Sequence, residues 1–370
     1  MFDTLIANDG RPEPVAISPR QDVAVLQYTG GTTGVPKAAM LTHGNVSANA
    51  HQSMMWFHGI RLGEERIVAV LPFFHVFAMT VALNLGIQSG AEIVALPRFD
   101  LKQLLATLRK RKITLFPGVP TLFTAINTGE LTPRFDLSSI KFCISGGAPL
   151  PIEVKRGFEK ITGCVLVEGY GLTETNAGVI AVPHKVVAPV DPASGALAIG
   201  VPKFNADVWI ADETGAPAPV GQPGEIVVSG PSVSPGYWRK PAETADAMRG
   251  DGFRTGDVAF MDERGWFYIV DRKKDMIVAS GFKVWPREVE DVLYMHPAVR
   301  EAAVIGVKDA YRGETVKAVV SLRPGAQATR EELVEHCRAK MAAYKRPQDI
   351  EIVDDLPKTV TGKILRRMLR

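Results

Sequence analysis

The sequence predicts an α/β protein with a large N-terminal domain and a small α+β C-terminal domain. Before Gly195, apolar runs alternate with amphipathic segments, a pattern typical of mixed or parallel sheets covered by helices. After Gly195 the apolar runs become short and are separated by turn residues, which indicates a small β-barrel-like part. Beyond Lys274 strand-like and helix-like segments mix again. A chain of 370 residues with 46% hydrophobic residues can bury a core in each part.

The predicted elements follow from hydrophobic periodicity along the chain. After an irregular lead-in, the large domain is predicted to contain strand 23–28, helix 45–56, strand 93–96, helix 101–111 and strands 113–116, 140–144 and 164–168. The β-rich part is predicted to contain strands 206–210, 225–229 and 258–261. The C-terminal part is predicted to contain a hairpin across 266–284, helix 287–294, strands 302–307 and 316–321, helix 330–341 and strand 349–353.

One apolar run, residues 67–87, has the length of a bilayer span. Pro72, His75 and Asn84 interrupt it, so we expect a strand that ends at Pro72 and a buried helix from about Val76 instead. The sequence does not open with a secretory signal. We therefore predict a cytoplasmic protein without a transmembrane segment. Peripheral contact with the inner membrane is left open, although no strongly basic amphipathic helix supports it.

Charge and cysteine content narrow the classes of partner. The 43 basic and 40 acidic residues give a formal net charge of +3, which provides no general reason to bind nucleic acid. Cys143, Cys164 and Cys337 lie far apart and show neither metal-ligand nor dense disulfide spacing, which favours a reducing compartment. The basic stretch 363–370 is explained equally well by a solvated terminal helix and by a polyanion-binding segment.

A loop rich in glycine and hydroxyl groups follows the first predicted strand. Residues 29–37, TGGTTGVPK, contain three glycines and three threonines before Lys37. Backbone N–H groups of such a loop can point toward phosphate oxygens, and Lys37 adds positive charge. The loop is not a Walker A motif, because Pro36 precedes the lysine and Ala38 follows it. A flexible hairpin remains the alternative for this stretch taken alone.

Two further polar segments lie where predicted strands end. SGGAP at 145–149 and EGYGLTET at 168–175 both follow apolar runs, and doubly wound sheets bind ligands beyond the carboxyl ends of their strands. Tyr170 offers a flat face for a base, and Glu174 offers a carboxylate for Mg²⁺ beside phosphate oxygens. Asp257, which ends the segment FRTGD, can accept hydrogen bonds from ribose hydroxyls. Each of these residues taken alone is better explained by a turn or a capping role.

The order and spacing of these motifs resemble the adenylate-forming acyl-CoA synthetases, and most closely the bacterial long-chain fatty acid:CoA ligases. The resemblance runs from about Asp22 to Arg370 and also includes residues 266–290 and PKTVTGK at 357–363. It implies that a fatty acid carboxylate attacks the α-phosphate of ATP to give acyl-AMP, and that the CoA thiol then displaces AMP. The expected partners are therefore a medium- or long-chain fatty acid, ATP and CoA. An adenylating relative with another acyl acceptor is the neighbouring alternative.

The resemblance also implies roles for individual residues. Contacts with the phosphates of ATP are implied for Thr29, Gly30, Gly31, Thr32, Thr33, Gly34, Lys37 and Thr173. Contacts with adenine and ribose are implied for Gly146, Gly147, Ala148, Tyr170, Gly171, Asp257 and Arg272. Glu174 would hold Mg²⁺, and Lys363 would bridge the fatty acid carboxylate and the α-phosphate. His75 would help to close the acyl pocket, although a packed core histidine explains it equally well.

The joint between the two parts is expected in the charged quartet DRKK at 271–274. A solvated turn and a hinge that carries ligand-binding charges both explain the quartet. The resemblance favours domains at 1–272 and 275–370 with a hinge at 273–274, in which Lys274 is the pivot and Gly281 lines the channel for the pantetheine arm of CoA. Asp271 and Lys273 receive no role. A homodimer is left open.

The resembling synthetases carry a longer segment before the phosphate loop than this sequence does. We therefore expect an N-terminally incomplete AMP-binding domain. A non-catalytic or weakly active remnant that binds a nucleotide or an acyl group is the alternative function.

Overall fold

The computed structural model shows a mixed α/β protein and describes residues 7, 15–29, 36–250, 252–309 and 312–370. The strands are β1 (Val23–Thr29), β2 (Lys37–Thr42), β3 (Arg66–Ala69), β4 (Glu92–Ala95), β5 (Leu115–Gly118), β6 (Phe142–Ser145), β7 (Leu166–Leu172), β8 (Ala177–Ala181), β9 (Val201–Pro202), β10 (Asp207–Ala211), β11 (Gly224–Ser229), β12 (Met248–Arg249), β13 (Gly252–Met261), β14 (Phe267–Arg272), β15 (Ile277–Ala279), β16 (Phe282–Val284), β17 (Val299–Asp309), β18 (Gly313–Leu322) and β19 (Asp349–Val353).

Helices alternate with these strands. They are α1 (His43–Trp56), α2 (α-helical Val76–Ala78, π-helical Met79–Asn84 and α-helical Leu85–Ser89), α3 (Leu101–Lys110), α4 (Pro120–Thr128), α5 (Ile152–Thr162), α6 (Pro241–Ala247), α7 (Pro286–Tyr294) and α8 (Arg330–Lys340). Short 3₁₀ turns cover Thr132–Arg134, Lys273–Asp275, Ala343–Lys345 and Arg366–Met368. The predicted combination of a large α/β domain and a smaller α+β domain is confirmed.

A seven-stranded sheet in the order β4-β3-β5-β6-β7-β8-β9 forms the centre of the large domain within the described residues. The strands from β4 to β7 pair in parallel, and β8 and β9 continue the sheet in antiparallel pairs. β5 and β6 are buried along their whole length, as expected for parallel strands covered on both faces. Gly118 and Ser145 end β5 and β6 and stand side by side in register with Glu168, the last residue of β7 that pairs with β6; β7 itself continues to Leu172. This register brings two of the predicted motifs to one edge.

The apolar run 67–87 divides as the sequence predicts. β3 ends at Ala69, and the helical residues begin at Val76. His75 precedes the helix and caps it, because its Nδ1 accepts a hydrogen bond from the backbone N–H of Phe77 (3.3 Å). The middle of α2 is π-helical, a form that often occurs at functional sites. Among the described residues, no helix combines the length and the apolar character that crossing a membrane requires.

The predicted small β-barrel-like part is a five-stranded antiparallel sheet. In this sheet β10, β11 and β13 pair in sequence, and β12 and β14 both pair with β13. Its apolar face packs into a separate core with Ile226, Val228 and Phe267. Because Asp257 faces Arg272 in the register of β13 and β14, this sheet fixes two predicted site residues next to each other.

The predicted hairpin across 266–284 is wrong. β14 pairs with β13 in the five-stranded sheet, whereas β15 pairs with β16 and β18 in the sheet of the C-terminal part. Both runs are strand-like, but a strand pattern does not identify the strand with which each run pairs. Packing determines the pairing, since Phe267 is buried in a core of the large domain and Ile277 in the core of the C-terminal part. The 3₁₀ turn Lys273–Asp275 separates the two sheets.

The C-terminal part has its own core beneath a second five-stranded sheet. The long strands β17 and β18 pair antiparallel, and β19 adds to β18 in parallel. α7 and α8 cover one face with Val289, Leu293 and Leu333. The basic stretch 363–370 does not form the expected terminal helix, because its one helical segment is the 3₁₀ turn Arg366–Met368. Arg366 is paired with carboxylates and its side chain is 20% exposed. Polyanion binding by this stretch stays a prediction.

Candidate active site

Asp257 connects the five-stranded antiparallel sheet of the large domain to the seven-stranded sheet through a hydrogen bond. The hydroxyl of Tyr170, on β7, donates to Oδ2 of Asp257 at 2.8 Å, and Nε of Arg272 lies 3.4 Å from Oδ1. Burial raises the pKa of Asp257, while the Arg272 guanidinium and the Tyr170 hydroxyl oppose that rise. Each carboxylate oxygen retains a second lone pair. The carboxylate can therefore also accept hydrogen bonds from two adjacent hydroxyls, such as those of a ribose.

Lys363 reaches the same group of residues from the C-terminal part. Burial and the nearby Arg272 lower the pKa of Lys363 to about 8, and the charge of Asp257 acts in the opposite direction. Burial and then the charge of Lys363 lower the pKa of His75. The structure therefore brings together four residues that are separated by up to 288 positions in the chain, His75, Asp257, Arg272 and Lys363. An ammonium group beside a carboxylate that can accept hydrogen bonds from hydroxyls is suited to an anionic phosphate ligand.

Glu174 belongs to a second group of predicted site residues and is held by Tyr237. The carboxylate of Glu174 is buried, and its Oε1 accepts a hydrogen bond from the Tyr237 hydroxyl at 2.7 Å. The backbone carbonyl of Glu174 also accepts a hydrogen bond from Ser234 N at 2.7 Å. Nζ of Lys37 lies 5.0 Å from the centre of the Tyr237 ring, close enough for a cation–π contact. Tyr237 thus links the lysine of the phosphate loop to the predicted Mg²⁺ ligand.

The ends of the predicted phosphate loop meet across an antiparallel pair. Thr29 and Lys37 are partners in the register of β1 and β2, so the segment between them connects two adjacent strands. Five of the predicted phosphate contacts lie outside the described residues: Gly30, Gly31, Thr32, Thr33 and Gly34.

The turn between β7 and β8 carries Thr173 and Glu174, and a side chain of α1 forms hydrogen bonds with the backbone around this turn. The side-chain amide of Asn49 donates to the backbone carbonyls of Thr175 (3.1 Å) and Gly178 (3.0 Å). Lys203 adds a hydrogen bond from Nζ to the Gly178 carbonyl at 3.1 Å, and burial lowers the pKa of Lys203 to about 7. These contacts fix the backbone of the turn.

Gly171 has a packing role in this turn. A Cβ atom at Gly171 would lie 1.8 Å from the carbonyl oxygen of Ala177, so only glycine fits between the two strands. Gly146, which was predicted to contact adenine, is buried beside Phe77, and its N–H donates to the Gly118 carbonyl at 3.1 Å. Gly147 is exposed with φ +79°, and Ala148 is half-buried. The exposed backbone of 147–148 remains free to line a base.

Lys274 and Gly281 lie in different surroundings. Burial and Arg272 lower the pKa of Lys274, so this lysine lies near Arg272, which the sequence predicts to bind the nucleotide. Gly281 forms the left-handed turn between β15 and β16, with φ +80°. Next to it, Phe282 stacks on Tyr344 at 4.7 Å within the C-terminal part. The structure thus does not bring Gly281 into the group around Asp257.

Two family models match the chain. The model for the AMP-binding enzymes matches residues 3–238, and the model for the AMP-binding enzyme C-terminal domain matches residues 288–363. The chain belongs to the AMP-binding enzyme family. The two matched ranges leave residues 239–287 between them, and the antiparallel β13–β14 pair and the 3₁₀ turn Lys273–Asp275 fall in that interval.

Similar AMP-binding enzymes act on different acids. The chain is 48% identical to a long-chain-fatty-acid–CoA ligase of Bacillus subtilis over 95% of this chain and 62% of that protein. It is 39% identical to a feruloyl-CoA synthase of an Amycolatopsis species, over 98% of this chain and 72% of that protein. An anthranilate CoA ligase structure, AuaEII in complex with anthranoyl-AMP, superposes with a TM-score of 0.89 at 31% identity, over 97% of this chain and 69% of that one. The chain thus spans about 62% of the length of the long-chain ligases that it matches.

Three contacts of this AMP-binding enzyme were missed by the sequence reasoning. Tyr237 bonds to Glu174, Thr121 Oγ1 donates to the carbonyl of Gly362 next to Lys363 (3.0 Å), and Asp271 binds Arg366. No sequence pattern pairs these residues, because each contact joins segments at least 63 positions apart. The sequence shows a charged residue at Asp271 within DRKK, but it does not identify Arg366 as the partner of that residue.

Proposed function

We propose that this chain catalyses ATP-dependent formation of acyl-CoA, with a medium- or long-chain fatty acid as the acyl donor. The observation that carries the proposal is the position of Lys363 beside Asp257 and Arg272, where its ammonium can meet the α-phosphate of a nucleotide. The relatives support the reaction class, since fatty acid, feruloyl and anthranilate ligases all join a carboxylic acid to CoA by name.

In the first step the nucleotide lies across the carboxyl edge of the seven-stranded sheet. Asp257 accepts hydrogen bonds from the ribose with help from Arg272, Tyr170 covers the adenine, and Thr173 contacts phosphate. Lys363 draws the fatty acid carboxylate and the α-phosphate together and offsets the negative charge that develops as pyrophosphate leaves. Positioning and charge neutralisation are the main demands of phosphoryl chemistry, so no covalent protein nucleophile is needed.

Glu174 fits the role of a Mg²⁺ ligand. Its Oε1 is fixed by Tyr237, and no donor among the described residues reaches Oε2. The described residues contain no cluster of three or more histidine, cysteine or acidic side chains that could hold a metal by themselves. That composition agrees with Mg²⁺, which commonly takes one or two carboxylates and completes its shell with phosphate oxygens and water. Bound Mg²⁺ would neutralise charge on the phosphates of ATP.

The second step requires Lys363 to leave and CoA to enter. We propose that residues 273–274 form the hinge between domains 1–272 and 275–370, and that Lys274 takes the backbone rotation. The rotation would bring the turn at Gly281 to the acyl-adenylate, where a residue without a Cβ lets the pantetheine arm approach. The separation of β14 and β15 into different sheets supports this division, because within the described residues no strand pairing joins the two sides of the turn.

The fatty acid is proposed from the degree of similarity. Identity to the Bacillus subtilis fatty acid ligase is 48%, compared with 39% to the feruloyl-CoA synthase. The acyl chain would enter beside α2, where His75 lies near Lys363.

Product analysis by mass spectrometry tests the proposal. The purified chain is incubated with MgATP, CoA and a panel of acids that includes hexanoate, decanoate, palmitate, ferulate and anthranilate. We expect AMP and acyl-CoA from the longer fatty acids. Exclusive use of ferulate or anthranilate would contradict the proposal that the acyl donor is a fatty acid. Nucleotide binding without AMP formation from any acid would favour the alternative of a non-catalytic remnant.

A further inference from the structure

Asp271 is a buried carboxylate at the joint between the two parts of the chain, and no role for it follows from the sequence. It is the last residue but one of β14 and is 6% exposed. Its Oδ1 accepts hydrogen bonds from the N–H of Arg272 (2.7 Å) and from Nη1 of Arg366 (3.0 Å). Its Oδ2 accepts a hydrogen bond from the backbone N–H of Arg287 at 2.9 Å. Two of its donors therefore come from beyond the turn Lys273–Asp275.

The contact with Arg287 caps a helix from outside its own domain. α7 begins at Pro286, which has no N–H, and the preceding Trp285 supplies no capping side chain. The N–H of Arg287 is the next donor in the first turn of α7, and it points to Asp271. A carboxylate at a helix N-terminus satisfies such a free N–H and complements the positive end of the helix dipole. α7 thus depends on the large domain for this cap.

The contact with Arg366 acts on the segment that carries Lys363. Arg366 lies three residues after Lys363 and binds Glu290 through Nε (3.0 Å) and Nη2 (2.7 Å). Burial opposes the charge of Arg366, yet Glu290 and Asp271 raise the pKa of its guanidinium well above the usual range. Since Arg366 and Glu290 both follow the turn, their pair can move as a unit. The bond from Nη1 to Asp271 is the part that a rotation would break.

We propose that Asp271 is a positioning residue that holds the C-terminal part in the orientation in which Lys363 faces Asp257 and Arg272. This inference rests on the proposed two-step function. The acceptor precedes residues 273–274 and the donors Arg287 N and Arg366 Nη1 follow them, so any swing about these residues breaks both bonds. Charge-assisted hydrogen bonds are stronger than neutral ones, but their partners are well hydrated once exposed. Asp271 therefore favours the first step without blocking the second.

The test compares the two half-reactions in the full chain. In the first, pyrophosphate release is followed in a single turnover with MgATP and palmitate. In the second, supplied palmitoyl-AMP is converted with CoA to palmitoyl-CoA. If both rates follow the populations of the two orientations, their ratio reports the orientation equilibrium directly. Asp271→Asn keeps the size of the side chain but removes its charge and one acceptor, and we expect the ratio of the second rate to the first to rise about tenfold.

Asp262→Asn is the matched control. Asp262 also accepts backbone hydrogen bonds, from Arg264 and Trp266, and binds the Arg264 guanidinium at 3.1 Å. All of its partners lie before residue 273, so this substitution weakens the β13–β14 connection without touching the joint. We expect it to leave the ratio of the two rates unchanged. An equal ratio in Asp271→Asn and Asp262→Asn would overturn the proposal.

Hydrogen–deuterium exchange without any ligand provides a second readout that does not require catalysis. Thr121, at the start of α4, donates to Gly362, so release of the C-terminal part should speed exchange in residues 357–365. α8 lies inside the C-terminal part and should exchange at the wild-type rate in Asp271→Asn and in the stronger variant Asp271→Ala.

The two measurements separate this proposal from the proposed function. If wild type forms no acyl-AMP but the variants speed exchange in 357–365 alone, the positioning role stands and the proposed function fails. Unchanged exchange in 357–365, or equal acceleration in α8, would refute the positioning role whatever the activity.

Discussion

The turn that carries Thr173 and Glu174 and the segment that carries Lys363 are held in different ways. The turn is fixed by neutral bonds inside one domain, chiefly from the amide of Asn49 to two backbone carbonyls. The Lys363 segment is fixed to the large domain by bonds to Thr121 and, through Arg366, to Asp271. Buried amide–carbonyl bonds are costly to break because no water replaces them, whereas exposed ions regain hydration. In the proposed mechanism the turn is the permanent part of the site, and the Lys363 segment is the part that leaves.

Removing the Lys363 ammonium should have the largest effect. Lys363→Ala should lower the rate of acyl-AMP formation by about a thousandfold or more, because one preorganised charge at a transition state contributes several kcal/mol. Conversion of supplied acyl-AMP to the thioester should change little, since Lys363 is absent from that step. Pyrophosphate release and thioester formation, measured separately, check this. Equal loss of both half-reactions would show that Lys363 belongs to the permanent part.

Adding one methyl group at Gly171, in the permanent part, should have the next largest effect, a loss of stability. Gly171→Ala places a Cβ atom 1.8 Å from the Ala177 carbonyl oxygen, so the backbone must shift. We expect a loss of about 3 kcal/mol or more in the free energy of unfolding, measured in urea. Gly281→Ala is the matched control in the C-terminal part, where φ is +80° but no atom lies within 4 Å of the new Cβ. It should cost about 1–2 kcal/mol, from backbone strain alone. Similar losses for both variants would contradict the packing role of Gly171.

Truncation of Asn49 should weaken the turn and both half-reactions together. Asn49→Ala removes two hydrogen bonds and leaves the buried Thr175 carbonyl without its side-chain donor, whereas the Gly178 carbonyl keeps its bond from Lys203, so we expect about 2 kcal/mol of destabilisation. Both half-reaction rates should fall by the same factor at a temperature where the variant is folded. A selective effect on one half-reaction would place Asn49 in the moving part.

The pH dependence of Lys363 should give the smallest of these effects, with opposite signs for activity and stability. The pKa of Lys363 is lowered to about 8, so above pH 8 the amine loses its proton and acyl-AMP formation should fall up to tenfold per pH unit. Between pH 8 and about 10.5 the unfolded chain binds more protons at this lysine than the folded chain does, so this residue makes stability rise with pH. Lys203 contributes in the same direction, because its pKa is lowered to about 7.

The difference between wild type and Lys363→Met isolates this contribution. Rate profiles and urea titrations from pH 7 to 10 provide both measurements. A wild-type rate that stays constant to pH 10 would contradict a lysine with a lowered pKa.

Most strands and helices could be predicted because their signals are local. α3 shows buried Leu104, Leu105 and Leu108 on one face, and a capping box of Thr329 and Glu332 starts α8. The error at 266–284 arose because alternating apolar residues identify a strand but not its partner. Only the two separate cores place β14 in one sheet and β15 in another.

The same distinction between local signals and long-range contacts applies to the site. By itself, the sequence determined which residue types the chemistry can use, namely the hydroxyl-rich loop, Glu174, Asp257, Arg272 and Lys363, because their order and spacing are properties of one chain. The tertiary structure decided which of them meet. It paired Asp257 with Tyr170 and Arg272, placed Tyr237 against Glu174, and joined Asp271 to Arg366 across 95 residues. Hydrogen bonds and ion pairs act over a few ångströms of space, and separation along the chain does not specify that distance.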